Sequence, residues 1–388
     1  MHAAPRIHYM DNLRALAMLA GVVFHAALAY SPMLRPYWPP ADAGGSAVVD
    51  VLAWFLHLFR MPLFFVVAGF FAALLVGRDG MAGLFRNRAA RVLLPLLVLL
   101  PPVLIGMGWL TGHAAATVRN PSPALDWIRA YVEEHGTMPN ATGWAHLWFL
   151  FYLMLFTLLV WVVSALGIRR VDARLATLRP GWLPIALPLL LVPALASVGV
   201  PWPAPESFLP QLWALVFFGL HFALGYLIFH RPVLLDGLRP LAPAMLVGAL
   251  VAYAAMPWVP GGGFAAPSSS RHFIHAALEA CAGAWMTLCC LLAGKAWLDG
   301  GNRIMRWLAD ASYWVYLVHL PLLFAIQYRL LDVPLHWTAK FAISVIATLA
   351  LSFASYQGLV RRTIIGRFLG GRRRVARPDA CRGGEVPP

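Results

Sequence analysis

Long apolar stretches follow one another along almost the whole chain, and each is long enough to cross a lipid bilayer as an α-helix. Of the 388 residues, 61% are hydrophobic and only 12% are charged, and the mean hydropathy is +0.71. A soluble domain is about 25% charged, whereas a membrane-spanning helix needs about 20 apolar residues. The sequence therefore predicts an all-α polytopic membrane protein. About ten spans are predicted, near 11–30, 48–76, 89–111, 146–167, 182–200, 209–229, 238–259, 272–297, 309–328 and 337–360.

Basic residues are concentrated in alternate connections between these spans. The N-terminus, every second connection and the segment after residue 360 hold 23 of the 30 Lys and Arg residues, and the intervening connections hold five. Because Lys- and Arg-rich loops remain in the cytoplasm, we predict that both termini are cytoplasmic, in the inner membrane of a bacterium. The net charge of +14 then reflects topology and contact with anionic lipid, not nucleic-acid binding. We predict one transmembrane domain over 1–368 and a basic, disordered cytoplasmic tail over 369–388.

The first span contains two ionisable residues that a membrane helix does not need. Arg14 and His25 are eleven residues apart, so on a helix they share one face and are separated by about 16 Å along the axis. Ionisable residues inside the bilayer are costly and usually functional. An imidazole that titrates near neutrality is also the usual general base. We therefore expect a cation near the cytoplasmic surface and a functional histidine deep in the membrane.

Other spans carry further polar groups at similar depth. His57 and Arg60 lie three residues apart on one face of the second span, and Arg60 is too deep to reach the surface by extending its side chain. Glu279 is the expected counter-charge for Arg60 or for a protonated histidine. His319 is also predicted near mid-depth, whereas His221 is interpreted as a hydrogen-bonded packing residue.

Aromatic residues at the start of the fourth span have two interpretations. Trp144, His146 and Trp148 form either an interfacial aromatic belt or a surface for stacking on a sugar ring. Just before them, the sequence PALDWIRAYVEEH is expected to form a short interfacial helix.

Five motifs, in this order and spacing, resemble the membrane acyltransferase-3 family: LRALAMLAGVVFH, FRMPLFFVVAGFF, FRNRAARVLLPLL, HLWFL and ASYWVYLVHLPLL. The resemblance covers about residues 8–365. Within the family, the chain is similar to the branch to which succinylation of osmoregulated periplasmic glucans is assigned.

The resemblance implies O-acyl transfer from cytoplasmic acyl-CoA to a carbohydrate hydroxyl at the outer side, with His25 as the catalytic histidine and Arg14 as its partner. Arg60, Glu279 and His319 match positions of that branch, and the match assigns them no role. Ala68 occupies a position that is often Ser in the family, so no hydroxyl is available there.

The residues also suggest a mechanism. Arg14, Arg88 and Arg91 are expected to hold the phosphates of the acyl-CoA donor, which carries a succinyl or an acetyl group. His25 would then deprotonate the acceptor hydroxyl, and His57 or Arg60 would stabilise the oxyanion. A route in which His25 itself is acylated stays open.

One alternative function is a transporter or flippase for a glycan or a polyprenyl-linked substrate. The sequence has no internal repeat and no paired broken helices, which disfavours that alternative. The four cysteines lack metal-ligand spacing, so no metal is predicted. The identity of the glycan acceptor and the formation of a homo-oligomer stay open.

Overall fold

The computed structural model describes residues 7–139, 143–167, 179–259 and 270–361, together with 363 and 366. In these residues the chain forms α-helices joined by short 3₁₀ and π turns, with no β-strand, which confirms the predicted all-α class. The predicted tail, 369–388, lies outside the described residues. The helices are α1 (His8–Leu28), α2 (Ala47–Arg88), α3 (Leu94–Thr117), α4 (Pro123–His135), α5 (Trp148–Ala165), α6 (Leu183–Leu195), α7 (Leu212–His230), α8 (Val233–Leu238), α9 (Ala242–Ala255), α10 (Ser270–Trp297), α11 (Arg303–Leu331) and α12 (Trp337–Ser355).

Within the described residues, eight helical segments are long and apolar enough to cross a membrane, and the 16 residues Pro180–Leu195 form a shorter apolar helix. One of the eight, Ala47–Thr117, is 71 residues long. A continuous helix of that length would extend about 106 Å, several times the roughly 30 Å hydrocarbon core of a bilayer. The predicted number of ten crossings, with both termini cytoplasmic, stays a prediction.

The 71-residue segment folds back at Gly80. Gly80 has φ 68° and ψ −177°, a conformation that glycine adopts readily because it has no Cβ. Beyond this point, Arg88 donates a hydrogen bond to the carbonyl of Ala68 at 3.2 Å. These two residues would be about 30 Å apart on a straight helix. The segment therefore contains two helices that run alongside each other in opposite directions.

Within the described residues, the Arg- and Lys-rich connections lie together at one end of the helix bundle, which we call the basic end. Three contacts join them: the Tyr9 amide to Asp299 (3.3 Å), Lys295 to Asp236 (2.9 Å) and the Tyr313 hydroxyl to the carbonyl of Arg91 (2.5 Å). The alternate connections that are rich in basic residues thus meet at one end of the molecule.

The opposite end, which we call the outer end, is held by contacts between the other connections. Asp332, at the end of α11, accepts hydrogen bonds from the backbone N–H groups of Arg119 and Asn120. These bonds hold the pKa of Asp332 below its ordinary value because they favour the charged carboxylate, and the bond from Arg119 has the largest effect. Asp42 forms an ion pair with Lys340 of α12 at 2.6 Å.

Helix α4 at the outer end confirms the predicted short helix. The side chain of Ser122 accepts from the amide of Leu125 and caps its first turn, with Pro123 at the first helical position. Gly136, with φ 69°, ends the helix in the left-handed conformation typical of a C-terminal cap.

Helices α2 and α7 cross with their backbones in contact. A Cβ on Gly225 of α7 would lie 1.8 Å from the carbonyl oxygen of Val66, and one on Gly69 of α2 would lie 1.9 Å from that of Phe222. Because lipid is as apolar as the side chains, membrane helices associate through such close contacts between small residues. This contact fixes α2 so that His57 and Arg60 face α1.

Candidate active site

His25 projects from α1 into the interior of the helix bundle. Its side chain is half-buried, and its Nδ1 is buried without a hydrogen-bond partner in the described part of the chain. The ring lies 5.3 Å from that of His319 and 6.3 Å from that of Trp38, measured between centroids. His25 therefore keeps an accessible edge while the other edge faces protein.

Arg60 and His57 of α2 both contact one aromatic ring of α1. The Cζ atom of Arg60 lies 4.5 Å from the centre of the Phe24 ring, and the His57 ring stacks on Phe24 at 5.5 Å. A Cβ on Gly21 would lie 2.7 Å from Nη1 of Arg60. The absence of a side chain at Gly21 thus gives the guanidinium room against α1, one helical turn from His25.

Three imidazoles form a row from α1 towards α5. The His319 ring lies 5.3 Å from His25 and 5.2 Å from His146, again between centroids. Nδ1 of His319 donates to the carbonyl of Tyr316 at 2.7 Å. The hydroxyl of Tyr316 in turn donates to the carbonyl of His146 at 2.7 Å. Tyr316 therefore binds the two members of the row that α1 does not carry, His319 and His146.

A proline explains why the carbonyl that binds His146 is free to accept a hydrogen bond. Pro321 lies within α11 and has no N–H, so the carbonyl of Leu317, four residues earlier, loses its usual helical partner. Nε2 of His146 donates to this carbonyl at 3.3 Å. The His-Leu-Pro sequence at 319–321 thus supplies both an imidazole and an acceptor for its neighbour.

Glu279 does not pair with Arg60, which corrects the expectation from the sequence. Glu279 is only 2% exposed, yet neither carboxylate oxygen has a hydrogen-bond partner in the described residues. The backbone of Trp202 is a polar neighbour of Glu279, and the Trp202 carbonyl accepts from Nε2 of His57 at 2.9 Å. Within the described ranges no acidic side chain lies within 4.0 Å of the Arg60 guanidinium, so this cation is buried and unpaired.

Arg14, Arg88 and Arg91 come together at the basic end, as the sequence predicted. Arg14 forms an ion pair with Asp11 at 3.1 Å, and its guanidinium lies 5.4 Å from the centre of the Phe71 ring. The charges of Arg14 and Arg91 both act on Arg88. Three guanidinium groups at one place repel one another, which favours the binding of an anion between them.

Two of the three residues expected to present rings at the outer surface are instead covered by protein, and the third, Trp144, is half-buried. His146 and Trp148 are 4% and 5% exposed, and Trp148 packs on Phe218 with ring centroids 5.2 Å apart. Trp144 stacks on Phe151 at 4.6 Å. The expectation of exposed rings is therefore wrong for Trp148, which packs within the bundle, and for His146, which joins the histidine row, and for Trp144 it stays a prediction. His221 accords with its predicted packing role, with Nδ1 donating to the carbonyl of Phe217 at 2.8 Å.

Sequence reasoning missed Trp38 and Trp202. Trp38 belongs to the outer connection between α1 and α2 and stacks on His25, while the Trp202 ring lies 3.9 Å from that of His57. Both lie outside the spans, where periodicity gives no signal. The only sequence signal that could have indicated them is the presence of a large aromatic side chain in an otherwise polar or Pro-rich connection.

The fold and the site define an integral membrane protein. Its interior holds a histidine row and an arginine that has no acidic partner among the described residues, and its basic end holds an arginine cluster. Within the described residues, no group of three His, Cys, Asp or Glu side chains is arranged to hold a metal ion. Residues 7–357 match the family model described as "Acyltransferase domain". The chain belongs to this acyltransferase family, which confirms the resemblance drawn from its motifs.

Curated relatives agree with the branch that the motifs indicated. Proteins named "Glucans biosynthesis protein C" from Salmonella typhimurium, Salmonella typhi and Salmonella agona are each 25% identical to this chain over 338 residues. The match covers 82% of this chain and 83% of each relative. No solved structure matches the chain.

Proposed function

We propose that the protein transfers an acyl group from cytoplasmic acyl-CoA to a hydroxyl group of a periplasmic glucan, in the inner membrane of a bacterium. The observation that carries this proposal is the position of the half-buried His25. It lies beside Arg60, which has no acidic partner in the described residues, and it shares helix α1 with Arg14 of the arginine cluster. Membership of the acyltransferase family and the names of the relatives support acyl transfer and a glucan acceptor.

The donor would enter from the basic end. Arg14, Arg88 and Arg91 would hold the phosphates of CoA through charge-assisted hydrogen bonds. The distance from Arg14 to His25 along α1 is about 16 Å, a length that the extended pantetheine arm can cover. The thioester would then reach His25 while the nucleotide stays in the cytoplasm, and the acyl group alone would cross the membrane.

In the direct reaction, the acceptor hydroxyl transfers its proton to His25 as its oxygen attacks the thioester carbonyl. Such general-base catalysis contributes about 10²–10⁴-fold. The oxyanion that forms would be stabilised by Arg60 or by His57. When the intermediate collapses, the C–S bond breaks, the proton passes from His25 to the leaving thiolate, and the products are an ester and free CoA. Transient acylation of His25 is the second route.

The unpaired Arg60 supports succinyl as the transferred group. A buried charge without a partner is costly, and a dicarboxylic acyl group brings a free carboxylate to this position. The carboxylate and the guanidinium would compensate each other when the donor binds, whereas an acetyl group offers no such compensation.

The test uses purified protein in liposomes with succinyl-CoA and an osmoregulated periplasmic glucan. Wild-type protein should release free CoA thiol and increase the glucan mass by succinyl groups. His25→Ala should abolish both signals, and His230→Ala, which changes an exposed histidine at the end of α7, should retain both. Glucan movement without thiol release would contradict the proposal and indicate a transporter.

A further inference from the structure

The tautomers of three histidines in the site follow from their backbone partners. Nδ1 of His319, Nε2 of His146 and Nε2 of His57 each face a carbonyl oxygen, at 2.7, 3.3 and 2.9 Å. A carbonyl only accepts, so each of these nitrogens carries the proton of the neutral ring. The opposite nitrogens, which are His319 Nε2, His146 Nδ1 and His57 Nδ1, are then bare acceptors.

All three acceptors are buried and have no hydrogen-bond partner in the described part of the chain, and neither has Nδ1 of His25. A buried polar group without a partner costs about 1–3 kcal/mol. His25 is therefore surrounded by rings that can accept a hydrogen bond from it and cannot donate one at their free nitrogen. The nearest of these rings to His25 is His319, at 5.3 Å between centroids.

We propose that His319 fixes His25 in the tautomer that is protonated at Nδ1, by accepting a hydrogen bond from that nitrogen. This centroid separation is short enough for a hydrogen bond between His25 Nδ1 and His319 Nε2 once the His25 ring turns its Nδ1 towards His319. The bond satisfies two buried nitrogens at once. It leaves Nε2 of His25, on the accessible edge of the ring, as the free base.

His319 is held for this task from two sides. Its Nδ1 is bound to the carbonyl of Tyr316, and the Tyr316 hydroxyl ties α11 to the backbone of His146. His146 in turn occupies the carbonyl of Leu317 that Pro321 leaves free. These contacts occupy Nδ1 of His319 and leave only its Nε2 available. In the neutral ring this nitrogen can only accept a hydrogen bond.

The inference rests on the proposed function and gives His319 a positioning role in it. During acyl transfer, Nε2 of His25 takes the hydroxyl proton and later gives it to the CoA thiolate. His319 accepts the hydrogen bond from Nδ1 throughout and spreads the charge of the imidazolium, and no proton is transferred to it. Its part is comparable to that of the carboxylate in a Ser-His-Asp triad, with a neutral acceptor in place of a charged one.

The direct test is ¹⁵N NMR of histidine-labelled protein in liposomes, without substrate. The difference between the spectra of wild-type protein and His25→Ala isolates the His25 signals. We expect Nδ1 to be protonated and Nε2 to be bare at neutral pH. An Nε2-protonated His25 in the wild type would overturn the inference, whatever the variants of His319 do.

Kinetics supply the second test. His319→Ala should lower kcat by about 10²–10⁴-fold, as expected when a base adopts the wrong tautomer, with the KM for acyl-CoA unchanged. His319→Gln, which keeps an acceptor oxygen at the end of its side chain, should recover at least about 10-fold of this loss. A raised KM with an unchanged kcat, or equal losses in the two variants, would overturn the inference. An absence of acyl transfer in the wild type would instead refute the proposed function, and the NMR measurement would still decide the tautomer.

Discussion

The guanidinium of Arg60 lies 4.5 Å from the centre of the Phe24 ring, beside the residue that precedes His25 in sequence. The side chain is only 7% exposed, and no carboxylate within the described residues forms an ion pair with it. A cation–π contact with a desolvated ring contributes about 2 kcal/mol. This is less than the several kcal/mol that burial of an ion costs, so the site is prepared for an anion.

Arg60→Gln should therefore impair the use of succinyl-CoA more than the use of acetyl-CoA. A charged hydrogen bond contributes about 1.5–3 kcal/mol, which corresponds to about a 10- to 100-fold change in relative kcat/KM. Arg60→Lys should recover only part of the preference, because Lys cannot reproduce a bidentate contact with a carboxylate. The measurement is thiol release with each donor in parallel.

The exposed Arg35 at the outer end provides the control, and Arg35→Gln should leave the ratio of the two donors unchanged. Equal losses with both donors for Arg60→Gln would contradict a role in donor selection. That result would assign Arg60 to stabilisation of the oxyanion, which both donors need.

Gly21→Ala should displace Arg60 without altering any polar group. The new Cβ would lie 2.7 Å from Nη1, so the guanidinium must move away from α1. We expect a loss of succinyl transfer of about 10-fold, equivalent to about 1.4 kcal/mol, with normal amounts of protein in the membrane. Gly108→Ala on α3 is the matched control, because a Cβ there would meet no atom within 4 Å. Full activity of Gly21→Ala would show that the position of Arg60 is not critical.

The sequence predicted the membrane fold and the residues that share a helix face correctly, whereas the depth of the site in the membrane stays a prediction. The face shared by Arg14 and His25 follows from helical periodicity within one span, and so does the adjacency of His57 and Arg60. Depth along the membrane normal also follows from counting residues within a span. These predictions use only local geometry, which a single sequence contains.

The failures concern how neighbouring helices are rotated about their axes. The sequence predicts a depth for Glu279 similar to that of Arg60, yet α10 directs Glu279 towards Trp202. His146 and Trp148 begin a span, yet α11 packs against His146 and α7 packs against Trp148. Contacts between helices, such as the crossing of α2 and α7 at Gly225, determine how each helix is rotated and which of its side chains are covered. No pattern within one helix encodes those contacts.

Arg14→Ala should act on the binding of the donor rather than on the chemical step. Loss of one charge-assisted contact with a CoA phosphate, about 1.5–3 kcal/mol, should raise the KM for succinyl-CoA at least about 10-fold with kcat little changed. Arg303→Ala, an exposed arginine at the same end of the bundle, should change neither constant. A large fall in kcat at unchanged KM would contradict donor binding by Arg14.

The orientation of the protein in the membrane can be tested with single cysteines in a background where the native cysteines are replaced by alanine. Arg86 at the basic end and Glu133 on α4 at the outer end are both exposed. Because basic connections stay in the cytoplasm, Glu133→Cys should react with an impermeant maleimide on intact cells. Arg86→Cys should react only after permeabilisation, and the reverse pattern would overturn the assigned orientation.

The ion pair between Asp42 and Lys340 anchors the outer connection that carries Trp38. Its two charged atoms lie 2.6 Å apart, and both side chains are at most 10% exposed. Removal of one partner of a buried pair costs about 3–5 kcal/mol because the other charge stays buried. Lys340→Met should therefore lower the melting temperature strongly and reduce acyl transfer, since Trp38 would lose its place against His25.

The double variant Asp42→Asn/Lys340→Met removes both charges, and Asn retains an oxygen to accept from the Gly44 amide, a bond of 2.8 Å in the native protein. Because replacement of a whole buried pair is often neutral, this variant should recover most of the stability and the activity. Lys295→Met, which breaks a more exposed pair with Asp236, should cost only about 0–1 kcal/mol. If the double variant unfolds at the same temperature as Lys340→Met, the loss comes from the Lys340 side chain itself and not from an unpaired Asp42.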